Sequence, residues 1–127
     1  MPGIDKIATI TIAVKDQAEA LQWFIEKLGF VKRMDLQGPG LRWLTIAPKN
    51  QSEVDFLLAS WFPDRVGKNA TCVVTTPDCR ATYEELKDRG VKFSQTPQDR
   101  PYGVDSGFRD PSGNQFRLTQ VREIVPA

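Results

Sequence analysis

The chain repeats itself. The segment "ITIAVKDQAEALQWFIEKLGFVK" near the start and "TCVVTTPDCRATYEELKDRGVKF" past the middle share one plan. Each is an alternating run, an Asp, an amphipathic run, a Gly and a second apolar run. Asp16 recurs as Asp78 and Gly29 as Gly90, so the period is about half the chain and the second helix is one residue shorter. A repeat on this scale is one supersecondary unit used twice. A unit with a single helix cannot cover both faces of its sheet. One face goes to the helix, and the other is buried by the partner unit or left as a cavity.

Local signals fill in the unit. Asp16 and Asp78 are N-cap residues, whose carboxylates accept the free N–H groups of the first turn. Gly29 and Gly90 act as stops. Ala20, Leu21, Phe24, Ile25 and Leu28 form the apolar stripe of the first helix. Ala81, Thr82, Tyr83 and Leu86 form a shorter one in the second. Further strands are expected over 30–36, 41–46 and 54–58 in the first half, and over 91–95, 104–109 and 115–120 in the second. Residues 1–62 and 63–127 are thus two strand–helix–three-strand modules of one pseudo-duplicated domain. The expected fold class is α+β, a cup-shaped eight-stranded mixed sheet with the helices outside. "PQDRPYG", residues 97–103, reads either as a mobile flap over the cup or as an ordinary connecting loop.

Alternation with period two assigns the sheet faces. Ile10, Ile12, Val14, Leu44, Ile46, Val54, Phe56 and Leu58 point to the first helix. Cys72, Val74, Phe116 and Leu118 point to the second. Thr9, Thr11, Trp43, Thr45, Asp55, Leu57, Thr71, Val73, Arg117 and Thr119 then share the helix-free side. That face is too polar for a packed sheet-on-sheet core. Arg117, in "RDPSGNQFRLTQ", is its odd member: it points into a site, or it is solvated at a strand edge.

Composition excludes several classes. Lys+Arg 17 against Asp+Glu 16 leaves a net charge of +1, which is no electrostatic footprint for nucleic acid. No apolar run approaches the roughly 20 residues that span a bilayer, and the N-terminus lacks signal-peptide character, so a cytoplasmic protein is expected. There is no His, which removes the commonest general base and transition-metal ligand and rules out a Ser-His-Asp triad or a Cys-His pair. Cys72 and Cys79 lie too close across a short loop to form a stabilising bridge. Cys79, near a helix N-terminus, reads as a small packing residue with reactivity as the lesser alternative.

On "AVKDQAEALQWFIEKLGF", "RWLTIAP" and "GFRDPSGNQFRL", over nearly its whole length, the chain resembles the vicinal oxygen chelate superfamily. Glyoxalase I, extradiol dioxygenases, fosfomycin resistance enzymes and bleomycin resistance proteins are members. The resemblance implies a cup built from both modules, often in a homodimer. It also implies metal ligands on the first and fourth strands of each module, commonly His and Glu. Those positions fall here on Thr9, Asp55, Thr71 and Arg117, where the usual "GNxxEL" reads "GNQFRL". Thr is a poor ligand and Arg cannot ligate a metal, so no metal and no cofactor are expected. The expected function is metal-independent binding of a small molecule, a neutral or anionic aromatic one. Thr9, Thr11, Trp43, Thr45, Asp55, Leu57, Thr71, Val73, Tyr102 and Arg117 would line the site, with Arg117 holding a ligand oxygen or pairing with Asp55. The alternatives are a lyase or dioxygenase-type enzyme with an atypical metal site or metal-free acid/base chemistry, and an interaction module that dimerises through a filled cup. No catalytic residue is assigned.

Overall fold

A computed structural model describes residues 3–51 and 53–122. The chain divides into two compact units, Met1–Asp64 and Arg65–Ala127. In the first, strand β1 (Thr9–Ala13) leads into helix α1 (Gln17–Leu28), then β2 (Phe30–Gly38), β3 (Leu41–Pro48) and β4 (Asp55–Ala59). In the second, β5 (Cys72–Thr75) leads into α2 (Cys79–Asp88), then β6 (Lys92–Arg100), β7 (Gly103–Arg109) and β8 (Gln115–Val121). The mixed sheet is present as two four-stranded sheets ordered β1-β4-β3-β2 and β5-β8-β7-β6. In each, the first and last strands of the unit pair in parallel and the other pairs are antiparallel.

The caps are those the sequence indicates. Asp16 accepts from Glu19 N at 2.9 Å and Asp78 from Ala81 N at 3.1 Å. Gly29 ends α1 at φ 73°, a left-handed conformation that favours Gly. Ala20 and Phe24 anchor α1 against its sheet, where Phe24 meets Phe30 at 5.3 Å between ring centroids. Ile25, expected in the stripe, stays largely exposed. In α2 the buried residues are Cys79 and Leu86, seven apart and so on one face, while Ala81 is exposed. Cys79 is therefore a packing residue, its thiol 3.3 Å from the Leu118 carbonyl.

Residues 97–100 are not a loop. Strand β6 runs on to Arg100, with Gln98, Asp99 and Arg100 opposite Asp105, Val104 and Gly103. Pro97 sits where the register shifts between Gln95 and Gln98, a bulge that needs no N–H from it. Only Pro101 and Tyr102 remain as the turn, so the segment read as a flap or a connecting loop is a hairpin end.

Candidate functional site

The second unit assembles its site from the turn "DPSGN". The buried Asp110 carboxylate accepts from Ser112 N (3.0 Å), Asn114 N (2.8 Å) and Asn114 Nδ2 (2.9 Å). Burial pushes its pKa up, although these hydrogen bonds pull the other way. Asn114 Oδ1 in turn accepts from Gly67 N at 3.1 Å. The turn sets the β7–β8 register, with Arg109 opposite Gln115, Gly107 opposite Arg117 and Asp105 opposite Thr119. Cross-strand partners share a face, so Asp105, Gly107, Arg117 and Thr119 all stand on the side away from α2.

Arg117 is held there rather than solvated. Its Nη2 donates to Asp105 Oδ2 and, at 2.6 Å, to Gln95 Oε1, and its Nε donates to Asp105 Oδ1 at 3.3 Å. Thr119 donates to Asp105 Oδ1 at 2.9 Å, and the Tyr102 hydroxyl donates to Oδ2 at 3.2 Å. Gly107 makes room for the guanidinium: a Cβ there would sit 2.6 Å from Nη1. Asp105 is buried, which raises its pKa, but Arg117, Thr119 and Tyr102 outweigh that and bring it below the ordinary value. It is ionised at neutral pH. Nη1 has no hydrogen-bond partner among the described residues. Beside it, Val73 pairs with Arg117 across the parallel strands and is 60% exposed. Thr71 is exposed just before β5, and Tyr102 is partly exposed.

The first unit places its expected residues on one face as well. Thr9 stands opposite Asp55, Thr11 and Thr45 opposite Leu57, and Leu36 opposite Trp43. Thr9 donates to Asp55 Oδ1 at 2.9 Å. Asp55 and Arg117 each have a partner within their own unit, Thr9 and Asp105 respectively. Leu57 and Thr45 are buried, and the Thr45 hydroxyl has no hydrogen-bond partner among the described residues. Trp43, Leu36 and Met34 remain partly exposed, an apolar strip on the same side. On the other side, beside the start of α1, a depression of about 310 Å³ is lined by Gln17, Gln37, Arg42 and Trp61 among others.

Asp105 and Gln95 are the functional candidates that face assignment missed. The signal was present, because the hairpin implied by "DPSGN" pairs Asp105 with Thr119, diagonal to Arg117. The four positions that the resemblance marks for metal ligands do not suit a divalent ion. In the first unit they offer one carboxylate and one hydroxyl, already bonded to each other. In the second they offer one hydroxyl and a fixed cation. Among the described residues no three of His, Cys, Asp and Glu come together as a ligand group.

Comparison with known proteins agrees with this architecture. A sequence model of the Glyoxalase/Bleomycin resistance protein/Dioxygenase superfamily matches residues 6–118. The uncharacterized protein YetH of Bacillus subtilis (strain 168) is 33% identical over 123 residues, covering 92% of this chain and 99% of that protein. The crystal structure of UcmS2 matches with 37% identity and a TM-score of 0.83, over 92% of this chain and 98% of that one. TnmS3, an antibiotic binding protein from Streptomyces sp. CB03234, matches with 30% identity and a TM-score of 0.84, over 96% of this chain and all (100%) of that one. With two strand–helix–three-strand units in series and a family match over most of its length, the chain belongs to the Glyoxalase/Bleomycin resistance protein/Dioxygenase superfamily.

Proposed function

We propose that this protein is a metal-independent small-molecule binding protein of the antibiotic-sequestering kind, whose ligand is aromatic and neutral or anionic. The observation that carries this reading is Arg117: a guanidinium held in place on the helix-free face by Asp105 and Gln95, where the family places an acid. Val73 and Tyr102 beside it supply apolar contact, and Thr71 a hydroxyl at the sheet edge. Thr9, Thr11, Trp43, Thr45, Asp55 and Leu57 are the corresponding face of the first unit, with Thr45 and Leu57 buried within it. Mostly apolar walls with a few placed polar groups are what small-molecule sites use. The antibiotic-binding description of TnmS3 supports the same class. The proposal extends to a cytoplasmic homodimer; two free cysteines, Cys72 and Cys79, suit a reducing compartment.

The test is equilibrium binding of a panel of polycyclic aromatic antibiotics, followed by tryptophan fluorescence, with wild type and Arg117→Met. At least one compound is expected to bind saturably, and Arg117→Met should weaken it by about tenfold or more, as loss of a charge-assisted contact does. If no compound binds and the protein instead turns over a substrate with a retained metal ion, the lyase or dioxygenase reading replaces this one.

A further inference from the structure

We infer that the Arg117 site selects neutral hydrogen-bond acceptors, such as the carbonyl of a flat aromatic ketone, and discriminates against carboxylates and phosphates of the same shape. The inference rests on the binding function proposed above and narrows its ligand. The reason is charge. A guanidinium alone would favour an anion, but this one carries its own counter-ion. Asp105 takes Nε and Nη2, is 5% exposed, and is held ionised by three donors. The pair is neutral, and a ligand carboxylate at Nη1 would meet both a partly spent cation and a second carboxylate behind it. A buried like charge is costly where screening is weak, whereas a carbonyl accepts from Nη1 without that repulsion.

The geometry also limits what can reach Nη1. Gly107 removes the side chain that would hold the guanidinium off the strand, since a Cβ would lie 3.3 Å from Cζ as well as 2.6 Å from Nη1. Gln95 closes the Nη2 side at 2.6 Å, so Nη1 is the edge left for a ligand. Val73 is the exposed apolar neighbour along the sheet. The other charged side chains that strand pairing places on this face of the sheet are Lys92 and Arg109, opposite one another, and Arg100, opposite Gly103, all three exposed. Water and salt screen them, and they would draw in an anion only if the buried Asp105 did not prevail.

The test compares 2-acetylnaphthalene with 2-naphthoate, which share a ring system and differ in charge, by ¹H–¹⁵N NMR titration. In the wild type the ketone should shift Val73 and the Arg117 Nε–H and bind about tenfold tighter than the carboxylate. Asp105→Asn, which removes the counter-ion and keeps the shape, should reverse the order. Gln95→Glu, at a half-exposed position, adds a second carboxylate beside Arg117 and should lower the affinity for 2-naphthoate by a larger factor than that for the ketone. Equal affinities, or a wild-type preference for 2-naphthoate, overturn the selectivity while leaving binding at this face intact. No shift on this face with either probe overturns the binding reading and the selectivity together.

Discussion

Arg117 and Asp105 act as one group, and the residue that permits it is Gly107. Gly107→Ala would push a methyl into Nη1 at 2.6 Å and toward Ser94 Oγ at 3.0 Å. The far end of an arginine can yield, so the stability loss should stay at about 1 kcal/mol, while ligand affinity falls by more than that loss implies. Urea denaturation and binding on the same variant check the split. In the first unit the Thr45 hydroxyl is buried with no partner among the described residues. An isosteric apolar replacement removes that cost, so Thr45→Val should be neutral or stabilising by about 1 kcal/mol. A clear loss of stability in urea would contradict it. Asp35 is the group whose titration shows most clearly. Its carboxyl takes two hydrogen bonds from Arg42, at 2.9 and 2.8 Å, and is lowered from 3.8 to about 2. The folded value lies below the unfolded one, so the stabilisation is complete above about pH 4 and disappears as pH falls toward 2. Between pH 6 and pH 2.5 the urea midpoint should therefore drop further in the wild type than in Asp35→Asn.

Strands and turns here were readable to different depths. Both helices begin at the Asp that the repeat marks, α1 ends at Gly29 and α2 at Arg89 just before Gly90, because caps are local: an N-cap carboxylate reaches N–H groups two or three residues on, whatever the tertiary context. The alternation of β8 placed Arg117 on the correct face for the same reason. Residues 97–100 misled, since Pro and Gly at close spacing are loop signals, and a bulge that accommodates Pro97 inside β6 depends on the strand opposite. That hairpin has its own constraint at Gly103, where φ is 144° and a Cβ would lie 1.9 Å from the Gln120 carbonyl oxygen. Gly103→Ala should cost about 2 kcal/mol or more and disturb the neighbouring Tyr102, as measured by thermal unfolding. An unchanged melting temperature would mean that the strand end moves freely.

For the whole molecule, the fold alone permits several functions. Offered Ni, Zn, Mn, Fe and Mg in turn and then dialysed, the protein should retain well below one ion per chain, and none should raise its melting temperature. Stoichiometric retention of one ion would put Asp55 at the centre and reopen lyase and dioxygenase assays. The family model spans residues 6–118, and among the described residues no helix is long and apolar enough to cross a membrane.

By itself the sequence determined the duplicated unit, both helix caps and the faces on which Arg117, Thr9 and Asp55 stand, because each follows from spacing along a few residues. The tertiary structure decided which carboxylate Arg117 meets. Asp105 lies twelve residues away, on another strand. Its place beside the guanidinium depends on register, on the absence of a side chain at Gly107 and on the burial of Asp105. Alternation assigns a face to each residue, but neighbours on that face are set only when strands pair.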